Sequence, residues 1–360
     1  MRMYKRHGFT IIELLVSMGL VILIMGVLAS AFSVGLNVFS KLKAVGDMSD
    51  KLRAAATALR GDLSRDHFEG SARVSDPSFP TLKPREGFFM IRQTPSLIEG
   101  QADGINSYRS TSSVLYLTVK LKGNRRENFF GASCPAGSPL LTDPTTFFNQ
   151  PAIARHQTGN VYTSQWAEVA YFLQPLKDPV TSVPVTGNGT PLFSLHRVVK
   201  VLIADNRAVN PKVPAGTPGY GGFSMAPAGG FNTPVDVTNV AKRSLPLATV
   251  NPADAAATPL TDVSTLLLTD VVSFTIQVIP APKLPPTAPN ALPPFGYPVG
   301  ASEFQDVGAA ADPVSGAAAF PGGTFESSTA ASGLLAVQIT LRVWDLRTQQ
   351  TRQISIIQDL

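Results

Sequence analysis

The sequence is short of cysteine, histidine and charge. Among 360 residues there is a single cysteine, Cys134. An intramolecular disulfide is therefore excluded, and one thiol carries none of the ligand spacing of a metal site. A buried, structural thiol is the expected reading, rather than a reactive one. The histidines, His7, His67, His156 and His196, lie far apart, and none sits at ligand spacing from another His, a Cys or paired carboxylates. No G-x-S-x-G elbow occurs. The glycine-rich GTPGYGGF (216–223) opens no helix pattern, so it reads as turns and not as a phosphate loop. No EF-hand-type loop is present. The expectation is a non-enzymatic chain with no catalytic residues, no metal and no cofactor.

Charged residues make up only 15% of the chain, and the formal net charge is +5. Without Arg2, Lys5 and Arg6 the balance falls from +5 to +2. The densest basic patch, LKGNRREN (121–128), is too short and too mixed for a nucleic-acid surface and reads as a solvated loop. No nucleic-acid partner is expected.

Proline and glycine are abundant, at 30 and 29 residues, and one apolar run is very long. No charged residue occurs from Leu14 to Ser40. About 20 helical residues cross a hydrocarbon core of roughly 30 Å, so this run is long enough to span a membrane. A secretory signal peptide has a shorter apolar region, of about 7–15 residues, with its small cleavage residue after that region. Here Gly8 precedes it. The basic residues Arg2, Lys5 and Arg6 place the N-terminus in the cytoplasm, so everything after about residue 35 lies on the far side.

Glu13 sits one turn inside the apolar run. A carboxylate in hydrocarbon costs several kcal/mol, on the order of 3, unless it finds a partner or a proton. Either Glu13 rests at the headgroup boundary, or a cation meets it at the same depth. A free amine on Phe9 would supply that cation if the chain were cut between Gly8 and Phe9. In a bundle of such helices, Glu13 of one subunit would pair with the amine of a neighbour, favouring assembly and fixing the axial register.

The stretch GFTIIELLVSM resembles a type IV prepilin signal. A short basic leader ends in Gly8, followed by Phe9, Thr10, Glu13 at the fifth mature position and an apolar helix. The resemblance implies cleavage after Gly8 by a membrane prepilin peptidase and N-methylation of Phe9. It also implies transfer from the inner membrane into a filament by an assembly platform and a cytoplasmic ATPase. Many type IV pilins carry a proline in this helix; this chain has none before Pro77.

Downstream, Leu42, Val45, Met48, Leu52, Ala55, Ala56, Leu59 and Leu63 recur at helical spacing with charges between them. One helix over roughly 9–67 is expected. Its first half, 9–34, is apolar all round; its second half, about 35–68, is amphipathic and packs on a globular domain. From residue 77 to 360 the pattern is of strands: 87–93, 113–121, 167–175, 192–202, 269–279, 334–345 and 351–360. LLAVQITLRVWD alternates cleanly, as a strand does with one face covered, here by the long helix. The expected fold class is α+β, pilin-like, with a long N-terminal helix on an antiparallel sheet. Two Pro/Gly-rich stretches without period, about 203–262 and 280–330, read as long loops, either flexible insertions or recognition loops. Asn188-Gly189 is a hairpin-turn signal.

The pair AEVAYFLQ and LFSLHRVV is similar to the V-x-Y-x-L … L-x-R hairpin of J-type minor pseudopilins and PilW-like minor pilins. LLLTDVVSFTIQV and LLAVQITLRVWD look like their following strands. In outline the chain also looks like cassette prepilin-like proteins of the Verru_Chthon type. The resemblance implies a minor pseudopilin of type II secretion: a single-pass inner-membrane protein with a periplasmic domain that assembles with other pseudopilins. The alternatives are a minor type IV pilin that primes or decorates pili and, in another class, a membrane-anchored periplasmic binding protein. A tethered hydrolase lacks any catalytic constellation in the sequence.

Overall fold

A computed structural model describes residues 10–93, 97–99, 107–142, 159–203, 213–245, 264–281, 304–307 and 320–360, apart from Ser71, Pro77, Pro80, Pro179, Pro321, Gly322 and Ala331. One helix, α1 (Ile11–Leu63), precedes a large antiparallel sheet. The sheet strands are β1 (Phe89–Arg92), β2 (Val114–Lys120), β3 (Trp166–Pro175), β4 (Phe193–Val201), β5 (Ser264–Pro280), β6 (Gln305–Asp306), β7 (Thr324–Glu326), β8 (Leu334–Asp345) and β9 (Gln350–Asp359). Their order is β7-β1-β2-β3-β4-β5-β8-β9, with β6 on β5. All seven strands expected from the sequence form. The fold is α+β, as the pattern of strands without intervening helices requires.

The 17-residue β5 sets the curvature. β4 pairs with its first half, from Val198↔Ser264 to Phe193↔Val271. β8 pairs with its second half, from Val271↔Val343 to Pro280↔Leu334. The two wings of the sheet are thus staggered along one strand. Register shifts beside Val271 bend it further, and Asp270 takes a positive φ of 59° there. Past the end of β4, the freed edge of β5 is capped. Phe274 N–H donates to Ser110 O (2.9 Å), Ile276 N–H donates to Gln93 Oε1 (2.9 Å), and β6 pairs with Gln277 and Val278.

The second half of α1 packs on the main core beneath the sheet. Met48, Leu52, Ala55, Ala56, Leu59 and Leu63 are buried at intervals of three and four, against Val337, Ile339, Leu341 and Val343 of β8 and Ile356 of β9. Each larger aliphatic side chain so buried contributes about 1.5–3 kcal/mol of transfer free energy. The stripe starts later than its periodicity predicts: Val45 is half-buried and Leu42 is exposed.

Among the described residues, the other face is covered over one wing. There Phe88, Met90, Tyr116, Trp166 and Phe172 meet Val237 and Leu245. The last two belong to 213–245, the described part of the proline- and glycine-rich insertion. That segment has little regular structure beyond 3-10 turns at Asp236–Thr238 and Val240–Lys242. Polar anchors hold it down. Arg243, fully buried, forks onto Glu326 with Nη1–Oε2 of 2.6 Å and Nη2–Oε1 of 2.8 Å, and lies 3.7 Å from the Phe88 ring centroid. The expected turn at Asn188-Gly189 also forms: φ is 50° and 80° at the two residues, between the short paired strands Thr186–Gly187 and Thr190–Pro191.

Arg243 generates a stability prediction. Arg243→Met leaves Glu326 buried without its cation, so unfolding of the detergent-solubilised chain should become easier by about 3–5 kcal/mol. A loss under 1 kcal/mol in chemical denaturation would show that the insertion is not held by this pair.

Candidate functional site

The site implied by the sequence is the N-terminal helix, and its residues fall into two groups. Arg2, Lys5, Arg6, Gly8 and Phe9 lie outside the described residues. Thr10 and Glu13 are described, and they form a reciprocal cap. Thr10 N–H donates to Glu13 Oε2 (3.0 Å), Thr10 Oγ1–H donates to the same oxygen (3.1 Å), and Glu13 N–H donates to Thr10 Oγ1 (3.3 Å). This is a capping box, which satisfies two of the helix's orphan donors. Both bonds accepted by the carboxylate use Oε2, so Oε1 stands outside the cap.

Beyond the cap, α1 is bare. Every residue from Ile11 to Lys43 is exposed, including Ile11, Leu15, Ile22, Phe32 and Phe39. Packing against the domain begins at Ala44. The helix is long and apolar enough to cross a membrane, with a mean hydropathy of 2.7 over its most apolar window. At about 1.5 Å per residue, the bare part reaches roughly 50 Å from the domain.

What fixes this projecting rod to the domain is a polar contact inside the apolar interface. Asp62 is buried on α1. Arg197 of β4 donates Nε–H to its Oδ2 (2.8 Å) and Nη2–H to its Oδ1 (3.0 Å). Tyr171 of β3 donates its hydroxyl to Oδ2 (2.5 Å), and Arg197 Nε–H also reaches the Tyr171 oxygen (3.1 Å). Tyr171 and Arg197 are directly opposite in the β3–β4 ladder. They are the Tyr and the Arg of the hairpin pattern read in the sequence, so the structure gives that pattern a physical purpose. Burial, then the Asp62 charge, pushes the Tyr171 hydroxyl far above its ordinary range, so it remains a donor. Burial opposes the charge on Arg197, but the Asp62 hydrogen bonds and charge outweigh it.

Asp62 is a residue that sequence reading passed over. Its signal was present: Met48, Leu52, Ala55, Leu59 and Asp62 follow one helical stripe, so a carboxylate at 62 had to face the sheet.

The helix end is closed by His67. Its Nδ1 lies 2.8 Å from Thr118 O and its Nε2 lies 3.3 Å from Leu63 O, while Thr118 Oγ1–H donates to His67 O (2.6 Å). Gly87, at φ +82°, passes so close that a Cβ there would stand 2.1 Å from His67 O. Of the remaining candidates, His7 and His156 lie outside the described residues, and His196 and Cys134 are packed side chains. His196 lies between Ser194 Oγ (2.9 Å) and Ser264 Oγ (3.2 Å) and stacks on Phe172. Cys134 is buried with its Sγ 3.4 Å from Asn160 O, and burial pushes its thiol pKa up.

Burial holds the His67 pKa below its ordinary 6.5, against the opposing pull of the Thr118 and Leu63 carbonyls and of Asp62 and Asp66. The unfolded chain therefore binds a proton at a higher pH than the folded one. The stability contributed by neutral His67 is fully present above about pH 6.5 and is lost as pH falls toward the folded-state pKa. Denaturant titrations between pH 7.5 and 5 should show this decline, and His67→Gln should flatten it; an unchanged slope in the variant would contradict the assignment. Comparison of the chain with protein-family models, with curated proteins and with solved structures yields no match.

Proposed function

We propose that this chain is a minor pseudopilin, a structural subunit of a type II secretion pseudopilus. In this reading prepilin peptidase cuts between Gly8 and Phe9, and Phe9 is N-methylated. The bare part of α1 sits in the inner membrane and then moves, through the assembly platform, into a bundle of related helices. The sheet domain is carried on the periplasmic side, and the work is assembly, not catalysis.

One observation carries the reading. A single carboxylate, Glu13, stands near the start of the otherwise uncharged and wholly exposed stretch Ile11–Ser40 of α1, just after a Gly-Phe-Thr sequence. A helix that only anchors a protein has no need of such an acid in hydrocarbon. In an assembly, Oε1 would accept the Phe9 amine of a neighbour while Oε2 keeps the cap.

The capping box itself favours a second reading. It gives Glu13 a local use, which suits an uncleaved anchor on a periplasmic binding protein. The two readings part at the N-terminal peptide of protein purified from its native membrane. A pseudopilin gives a peptide that starts at Phe9 with one added methyl group; an anchor gives an intact Met1 terminus although the peptidase is present. They part again at position 13. Gln retains a side-chain oxygen for the cap but no charge. If charge pairing matters, Glu13→Gln and Glu13→Ala both insert in the membrane yet fail to co-purify with partner pseudopilins. If only the cap matters, the Gln variant behaves as the wild type does.

A further inference from the structure

The two edges of the sheet differ. At one end stands β7, three residues long; at the other stands β9, ten residues long. β9 pairs with β8 on its inner side, and Leu360 N–H donates to Leu335 O (3.1 Å). In an antiparallel ladder, alternate residues turn both backbone groups to the same side. Even-numbered residues of β9 therefore face β8, and the N–H and C=O groups of Thr351, Gln353, Ser355 and Ile357 face outward. All four residues are exposed, and their backbone groups make no further hydrogen bond among the described residues.

Natural edge strands are blunted by lysine, proline, a bulge, a short length or an inward-pointing charge. β9 has only the last, in Arg352 near its start, on the face of Ile354 and Ile356. It holds no Lys or Pro and pairs with β8 without a register shift, and its two charges, Arg352 and Asp359, stand near its ends. What remains is a row of four donors and four acceptors at strand spacing, about 20 Å long. Only another extended backbone presents the complementary alternation.

We propose that the outer edge of β9 is a strand-docking site for a different protein. The occupant is an extended segment with no charge at its centre. Its side chains alternate, apolar on the side continuing the row of Ile354 and Ile356, and polar on the side of Gln353 and Ser355.

The direction of β9 excludes a second copy paired edge to edge about a two-fold axis. One cleft joins Ala44–Lys51 of α1 to Val343–Arg347, and another joins Leu63–Phe68 to Gln358–Leu360. β9 thus runs the same way as α1, away from the bare helix. Pairing two β9 edges about a two-fold axis would point the two apolar helices in opposite directions, and both could not enter one membrane. This step alone rests on reading α1 as a membrane segment; the free edge does not depend on it.

The test uses the full chain in detergent micelles and a synthetic peptide copying AVQITLRV (336–343), a strand of the required alternation. The control is the same peptide N-methylated at alternate amides. Without peptide, amide hydrogen exchange should be slow at the even-numbered residues of β9 and fast at 351, 353, 355 and 357. With peptide, those four amides should slow at least tenfold, and the methylated control should leave them fast. Ser355→Pro removes an outward N–H, together with a hydroxyl that lies 3.2 Å from Thr340 Oγ1, and Ile357→Lys places a charge at an exposed edge position. Each should weaken peptide binding at least tenfold while the even-numbered amides stay slow. Slow exchange at the four amides in peptide-free protein, or equal binding by both variants, overturns the proposal. Protection that rises with protein concentration alone assigns the edge to a second copy and overturns it too. The N-terminal peptide mass is unaffected by any of these outcomes, so this proposal and the pseudopilin reading fail separately.

Discussion

The Asp62 carboxylate is the constraint around which the molecule is arranged. An apolar stripe alone would let a helix slide or rotate within an apolar trough, because dispersion and burial are non-directional. A buried carboxylate held by a forked guanidinium and a phenol has one acceptable position. Arg197 and Tyr171 face each other on adjacent strands, so the contact also locks the β3–β4 register to the rotation of α1. Four turns of buried side chains then follow in phase, from Met48 to Leu63. The bare end of the helix inherits its direction from this one contact.

A second polar anchor does the same for the opposite face. Arg243 and Glu326 bring a segment with almost no regular structure onto the wing that the helix does not cover. Buried pairs of this kind add little net stability relative to apolar replacements, yet they are costly to break singly. They therefore select where an irregular segment lies more than they strengthen it. That suits 213–245, which has aromatic side chains to bury and only isolated bridges, Val201 to Phe223 and Met225 to Phe231, to position them.

Much of the frame was legible before any coordinates. Period-2 alternation in 334–345 formed as read, and the period-3.6 recurrence over 42–63 did so from Met48 onward, with Leu42 left exposed. Asn188-Gly189 was legible because only a few residues tolerate positive φ. What was not legible has a common cause. The Asp62–Tyr171–Arg197 group spans 135 residues between its helix and strand members, and no local pattern reports a partner so distant. Arg243 and Glu326 are separated by 83 residues and sit in stretches without period. The stagger on β5 was hidden too, since a continuous run such as STLLLTDVVSFTIQVIP gives no sign of which neighbour ends where. The capping role of Glu13 was legible in Thr10 three residues earlier, the spacing of a capping box.

The bare length of α1 has an evolutionary consequence. Residues 11–43 are all exposed, so none of them is part of the core that holds the sheet together. Their sequence answers to whatever surrounds the helix outside the domain, while the residues from Ala44 onward answer to the trough. One continuous secondary-structure element thus carries two independently selected halves, with Ala44 as the border between them.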